Sequence, residues 1–255
     1  MHIENHHKTT VLILASVLFA TSITGCGRAK QYRRVEQSGY LGDYSKMKEG
    51  KGNEALYIYV NPQANCHKYS KVIIDPVVLW GESEDSPLAS LDPKDQKMLA
   101  TLGWGTLYDA MKKGKFEIVN KPGPDVMRVK GVITEAVKAK VILADVVVVA
   151  PYVWEAATLW GIGTGKWPFL GELAGEMEIT DSLTGERLFS AVDKVVGTLG
   201  SNIDPLARWD DVRQGFNLWR DRHGVRMASC HNTGSFKMPN DDRNWVTKTY
   251  QYISP

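Results

Sequence analysis

Residues 171–197 have the sequence GELAGEMEITDSLTGERLFSAVDKVVG, in which two runs rich in apolar and branched side chains flank a polar centre. The runs 171–180 and 187–197 have the length and composition of β-strands. Between them, Asp181 and Gly185 are the residue types that a tight hairpin loop requires. The segment therefore predicts an antiparallel hairpin, and a sheet must surround it.

On the N-terminal side of this hairpin, the same criteria predict strands at 55–60, 71–80, 116–119 and 126–137, with a bulge or bend at Pro76 in the second. Apolar residues recur at helical spacing between Asp92-Pro93, a good N-cap and first-turn pair, and Gly114, a good stop. A second helical stripe begins near Trp209 and is expected to end at His223-Gly224. Residues 141–153 suit either a buried strand or the start of a helix.

The order of these elements predicts the α/β class, with one mixed-sheet domain and flanking helices from residue 53 to 255. The chain has 31 Lys and Arg against 29 Asp and Glu. Because this charge is nearly balanced, we expect no nucleic-acid partner.

The first 25 residues have the organisation of a secretory signal peptide. A polar stretch containing Lys8 precedes an apolar run from Val11 to Ala20. That run is shorter than the roughly 20 residues needed to span a bilayer permanently. It leads into Ile23-Thr24-Gly25-Cys26, which resembles the bacterial lipobox. We therefore expect cleavage before Cys26 and lipidation of its thiol, the alternative being an ordinary signal peptide with an incidental cysteine.

Two or three acyl chains on Cys26 would hold the protein stably on a membrane. Gly27 follows the cysteine, where an Asp would favour retention in the inner membrane of many Gram-negative bacteria. By that analogy we expect the outer membrane, with the domain facing the periplasm. Residues 26–52 are polar and rich in Lys and Arg, so they are expected to form a flexible tether.

Besides Cys26, the chain has only Cys66 and Cys230. An oxidising periplasm could join them in a disulfide, and two partly buried free thiols are the alternative. Each is followed by a histidine, His67 or His231, so the four side chains also match the ligand types of a zinc site. The adjacent spacing argues against zinc, and no metal or other cofactor is expected.

Candidate chemistry elsewhere is sparse. Asp181, Glu186 and Asp193 form a carboxylate group around the predicted hairpin, suited to a cation or to acid–base work, although the turn itself requires Asp181. The segment 161–166, GIGTGK, fits neither the Walker spacing nor a dinucleotide fingerprint. Three tryptophans cluster around it, namely Trp154, Trp160 and Trp167. Exposed ones would form a sugar-stacking or protein-docking surface, whereas buried ones, as expected at least for Trp154, would belong to the core.

Three segments resemble the bacterial lipoproteins grouped as Domain of Unknown Function 3313. They are SGYLGDYS at 38–45, YSKVIIDPV at 69–77, and the late hairpin from Glu176 through DSLTGE at 181–186 to AVD at 191–193. The resemblance runs over nearly the whole mature chain. It implies an envelope location and an α/β fold, but no agreed biochemical activity.

Taken together, these features favour a lipid-anchored, non-enzymatic envelope module that binds a protein or peptidoglycan partner. The alternatives are a periplasmic hydrolase with an unrecognised site, for which Asp181, Glu186 and Asp193 are the first candidates, and a lipoprotein that binds a small ligand near Trp160 and Trp167. No catalytic residue is assigned by the sequence.

Overall fold

The computed structural model describes residues 30–32, 35–81, 86–139, 170–197 and 209–239. Among these, the strands are β1 (Lys30–Gln31), β2 (Lys48–Glu49), β3 (Tyr57–Val60), β4 (Lys71–Ile74), β5 (Val78–Leu79), β6 (Glu117–Ile118), β7 (Val126–Val137), β8 (Glu172–Asp181) and β9 (Arg187–Val196). The helices are α1 (Pro93–Lys113), α2 (Asp210–Thr233) and a 3-10 turn at Cys66–Lys68. No helix of these described residues is long and apolar enough to cross a membrane.

The nine described strands form one mixed sheet, with the order β2-β3-β9-β8-β7-β4-β6. Strands β7, β8 and β9 are antiparallel neighbours, whereas β4 runs parallel to both β7 and β6. Two edges are each shared by two short strands: β3 and β1 pair with successive parts of β9, and β4 and β5 with successive parts of β7. The predicted late hairpin and the α/β class are confirmed.

Both helices pack on one face of this sheet and run in the same direction. The Trp209 indole donates to Asp95 near the starts of α2 and α1, and Gly224 approaches the Lys113 side chain near the end of α1. The core between the helices and the sheet contains large, fully buried side chains: Leu99, Met111, Phe116, Met127, Ile133, Leu173, Ile179, Phe189 and Met227. Burial of this apolar area is the main favourable term in folding.

Helix α1 begins and ends as predicted, with Asp92 accepting from the Lys94 amide at 2.8 Å and Gly114 as the C-cap. The predicted end of α2 at His223-Gly224 is wrong, since the helix continues to Thr233. Gly224 lies inside the helix, and its lack of a side chain is explained by packing: a Cβ at this position would lie 2.5 Å from the Lys113 side chain. The terminating glycine is Gly234, which has a left-handed φ of 73°.

The predicted strand 71–80 is divided into β4 and β5, with Pro76 between them, which agrees with the expected bend. The undecided segment 141–153 lies outside the described residues.

The boundary predicted between tether and domain at residue 52 is wrong. Strand β1 pairs with the end of β9, and β2 pairs with β3, so both belong to the sheet. Leu41 is buried within the same stretch. The polar composition did not reveal this, because β1 and β2 pair with the sheet through backbone amides and carbonyls, which any sequence carries. Residues 1–29, including the predicted signal peptide and Cys26, lie outside the described part of the chain.

A disulfide joins Cys66 to Cys230, with 5.3 Å between the Cα atoms. The two residues lie 164 positions apart, so the bond closes most of the domain into one loop. Chain-entropy models assign long loops of this kind a stabilisation of roughly 5 kcal/mol. The bond ties the 3-10 turn to the last part of α2.

Candidate functional site

The sheet has a second face, opposite the helices, and strand alternation makes it polar. On β8, Gly175 faces Trp219 of α2, whereas Glu176 and Glu178 point the other way. On β7 the outward positions are occupied by Arg128 and Lys130. Successive side chains of a strand point to opposite faces, so two adjacent strands place their charges on one surface.

Residues 38–47, which directly precede β2, lie across part of this face. The buried carboxylate of Glu176 accepts from the Ser38 amide at 2.7 Å and from the Tyr44 hydroxyl at 2.5 Å. Burial and this bond to Glu176 raise the pKa of Tyr44 to about 12, so its hydroxyl stays protonated and donating. The Trp80 indole also donates to the Ser38 carbonyl. Glu176 therefore fixes the segment to the sheet.

Arg187, at the start of β9, fixes the same segment from its other side. Its two terminal nitrogens donate to the carbonyls of Leu41 and Asp43, each at 2.6 Å, and its Nε donates to Glu178 at 3.1 Å. The planar guanidinium is suited to holding several acceptors at fixed angles. It joins the segment, β8 and β9 at one point.

Between this segment and the hairpin lies an open groove of about 480 Å³, which we call the polar groove. Its charges are paired across the strands: Lys130 is 3.7 Å from Glu178, and Arg128 is 3.1 Å from Asp75 beside the groove. Both cations keep about 40% of their side-chain surface exposed. The lining residues are Asp43, Lys46, Met47, Tyr59, Asn61, Arg128, Lys130, Glu178, Thr180, Asp181, Ser182, Gly185, Glu186 and Arg187.

At the hairpin, Asp181 is held as a carboxylate. Lys68 donates to it at 2.7 Å and the Tyr69 hydroxyl at 2.9 Å, while its other oxygen accepts from the amides of Leu183 and Thr184. Burial alone would raise its pKa, but these donors hold the pKa of Asp181 well below the usual range. The exposed carboxylate of Glu186 accepts from the side-chain amide of Asn61 at 2.7 Å. Both carboxylates therefore organise the loop.

The three carboxylates predicted as one group are not together. Asp193 lies on the helix face of β9, buried, and accepts from Gln31, the Leu56 amide and the Trp219 indole. The Arg222 guanidinium is 3.6 Å away. Burial raises the pKa of Asp193, although Arg222 and the hydrogen bonds act in the opposite direction. One substrate at the hairpin could not touch this residue.

A small cavity of about 50 Å³ lies in the core beside Asp193, Trp219 and His223. Burial, with Arg226 and Arg222 adding to it, lowers the pKa of His223 to about 3, so the imidazole is neutral at physiological pH. Volumes of this size hold about one or two waters rather than a ligand. The predicted ligand surface near Trp160 and Trp167, with Trp154 and the segment 161–166, lies outside the described residues.

Metal chemistry at the cysteines does not fit the structure, because both sulfurs are used in the disulfide. Within the described ranges, no group of three or more His, Cys, Asp or Glu residues is arranged to hold a metal ion.

Apart from Asp181 and Glu186, the residues that line the polar groove were not among the predicted site residues. Glu176 and Glu178 on β8, and Arg128 and Lys130 on β7, each show the two-residue period of a polar strand face. That period was a usable signal for a charged surface. Their pairing across strands depends on register, which the sequence did not provide.

The family model described as "Protein of unknown function (DUF3313)" matches residues 36–223. No curated protein matches the chain. Among solved structures, the PelC dodecamer from Paraburkholderia phytofirmans is 12% identical, with 66% of this chain and 94% of that chain covered and a TM-score of 0.33. A DUF4136 family protein from Bacteroides thetaiotaomicron is 15% identical, with coverages of 66% and 96% and a TM-score of 0.28. At these values, neither likeness supports an inference about this chain.

Proposed function

We propose that this chain, which belongs to the DUF3313 family of unknown function, is a lipid-anchored envelope lipoprotein that binds a partner through the polar groove. The lipid is carried by Cys26, the membrane is the outer membrane, and the domain faces the periplasm. The lipobox-like segment at 23–26 supports the anchor.

The observation that carries the binding role is the polar groove itself. Its volume of about 480 Å³ lies within the range of ligand sites. One of its walls, segment 38–47, is held in place by several hydrogen bonds to Glu176 and Arg187. Exposed charges on a preorganised surface can exchange an internal partner for an external one with little loss of side-chain entropy.

The charges of the groove indicate the chemical class of the partner. Arg128 and Lys130 offer cations, and Glu178 and Glu186 offer carboxylates, within one lined space. A peptide that carries both carboxylate and ammonium groups is complementary to this mixed pattern. Such a peptide could be a segment of an envelope protein or the stem peptide of peptidoglycan, and the ligand chemistry is shared.

The hydrolase alternative receives less support from the geometry. A general acid must be protonated near the working pH, whereas Asp181 is held ionised by Lys68 and its hydrogen bonds. Glu178 forms ion pairs with both Lys130 and Arg187. The third suspect, Asp193, is buried beneath α2.

The proposal is tested by photocrosslinking in intact cells. A photoreactive residue replaces Lys130 in the groove or, as the matched control, Lys112, which is exposed near the end of α1. We expect a crosslinked product at position 130 and none at 112. Arg128→Glu should abolish the product at 130, because the reversed charge in the groove repels the carboxylate of the partner.

The nature of the product separates the two sources. A product shortened by a muramidase is peptidoglycan, and one shortened only by a protease is a protein. Equal crosslinking at 130 and 112 would contradict the proposed site. Absence of product at both, together with release of wall fragments by the purified protein, would favour the hydrolase.

A further inference from the structure

Strand β1 lies at one end of the sheet. Lys30 pairs with Val196, the last residue of β9, and the Tyr32 amide donates to the Lys194 carbonyl at 2.8 Å. At the same end β8 begins, with Glu172 opposite Val196, and β7 finishes, with Val137 opposite Glu172. We call this the anchor end of the domain.

Both helices also begin at the anchor end. Asp211, in the first turn of α2, accepts from the Gly171 amide at 2.8 Å. Asp95, in the first turn of α1, accepts from the Trp209 indole and pairs with Lys138 at 2.6 Å. The opposite end, which we call the hairpin end, contains the 181–186 loop and the ends of both helices.

The two ends are separated by the length of the central strands. Strand β9 has ten residues between Arg187 and Val196, which corresponds to about 30 Å at the usual rise of an extended chain. The polar groove is lined by Gly185, Glu186 and Arg187, so it lies toward the hairpin end.

Cys26 precedes Lys30 by only four residues. Four residues span at most roughly 14 Å even when fully extended. If the lipid is on Cys26, Lys30 must therefore lie within that distance of the membrane interface. An orientation with the hairpin end on the membrane would place Lys30 about 30 Å above it, beyond the reach of this connection.

We infer that the anchor end of the domain rests on the lipid headgroups and that the hairpin end, with the polar groove, projects away from the membrane. This orientation rests on the proposed lipidation. In this orientation β1 holds the domain close to the membrane, whereas the sequence had predicted a domain on a long flexible tether.

The side chains at the anchor end suit a headgroup layer. Tyr32 and Trp209 are half-buried, and the Lys138 ammonium lies 5.2 Å from the centre of the Trp209 ring. Tyrosine, tryptophan and lysine are the types enriched where proteins meet the membrane interface. The described residues at this end are therefore amphipathic rather than purely apolar.

The test uses the full lipidated protein in phospholipid vesicles whose headgroups carry a nitroxide quencher. A fluorescent amino acid is placed at Asp210, exposed at the anchor end, or at Leu183, exposed at the hairpin end. We expect several-fold stronger quenching at 210 than at 183. Equal quenching, or stronger quenching at 183, would overturn the orientation.

A variant with about twenty Gly and Ser residues inserted after Gly27 provides the control. A flexible connection of that length reaches roughly 27 Å on average, so the preference for position 210 should shrink while the protein stays bound to vesicles. An unchanged preference would show that the anchor length does not set the orientation. Failure of the native protein to float with vesicles would overturn the lipid anchor itself, an outcome distinct from flotation with equal quenching.

Discussion

The two faces of the central sheet, although built from the same strands, differ in how their polar groups are satisfied. The face under α1 and α2 is largely apolar, and a carboxylate buried at its centre, Asp193, has three hydrogen-bond donors and Arg222 nearby. The opposite face carries many charges, which are paired across strands and remain partly open to water. A polar group on the first face must be fully satisfied within the fold, whereas those on the second retain capacity for an external partner.

The difference also explains why the domain needs its N-terminal segment. The charged face would otherwise leave the buried Glu176 without the Ser38 and Tyr44 donors that satisfy it. Segment 38–47 covers this part of the sheet and leaves the groove beside it accessible. The contacts that hold this segment and the groove proposed to bind a partner thus occupy neighbouring parts of one surface.

The largest effect is expected on the helix face. Asp193→Ala should lower the free energy of unfolding by about 3 to 5 kcal/mol, because it removes the buried acceptor of Trp219 and Gln31 and the carboxylate paired with Arg222. Urea denaturation measures the change. The matched control is Glu186→Ala at the exposed hairpin, where about 0.5 kcal/mol or less is expected. Equal losses in the two variants would remove the distinction between the faces.

An intermediate effect is expected on the groove face. Glu176→Gln should cost about 1 to 2 kcal/mol, since charge-assisted bonds to Ser38 and Tyr44 become weaker neutral ones. The loss should appear as faster hydrogen exchange of amides in segment 38–47, with smaller changes in α2. Glu117→Gln, exposed on β6, is the control. Uniform acceleration over the whole domain would argue against a separately held segment.

The smallest effect is one of pH. The folded-state pKa of Asp181 is below its unfolded value of about 3.9, so its contribution to stability is complete above that pH and is lost as the pH falls further. Asp181→Asn should therefore weaken the fall in stability between neutral and acid pH, measured by thermal unfolding at each pH. For Asp193 the pKa is raised, so its contribution declines as the pH rises above about 4. Parallel pH profiles for Asp181→Asn and Asp193→Asn would contradict this opposition.

Much of the fold was predictable from local pattern. The hairpin at 171–197, helix α1 with its Asp92 cap and Gly114 end, and the break at Pro76 all depend on residues near one another in the chain. Capping, turn chemistry and strand alternation act over a few positions, so the sequence displays them directly. Gly224 shows the limit of this reasoning, because its role depends on Lys113, a residue of another helix.

The candidate site was less predictable. Asp181, Glu186 and Asp193 are close in sequence, yet Asp193 lies opposite Gly175, six residues before Asp181 on β8, and is buried beneath α2, away from the loop. The polar groove joins Lys46, Lys130 and Glu178, which are distant in the chain. Cross-strand register decides such pairings, and a single residue of slip would reverse every side chain.

The sequence by itself determined the composition of the elements, the turn residues and a lipobox-like segment ending at Cys26. Only the tertiary structure decided that Lys30 and Gln31 join the sheet, that Cys66 meets Cys230, and that the charges form a groove. The physical reason is that backbone hydrogen bonds in a sheet are open to any residue type. A polar stretch such as 30–52 therefore gives no local sign of whether it will pair, and the neighbouring strand supplies the answer.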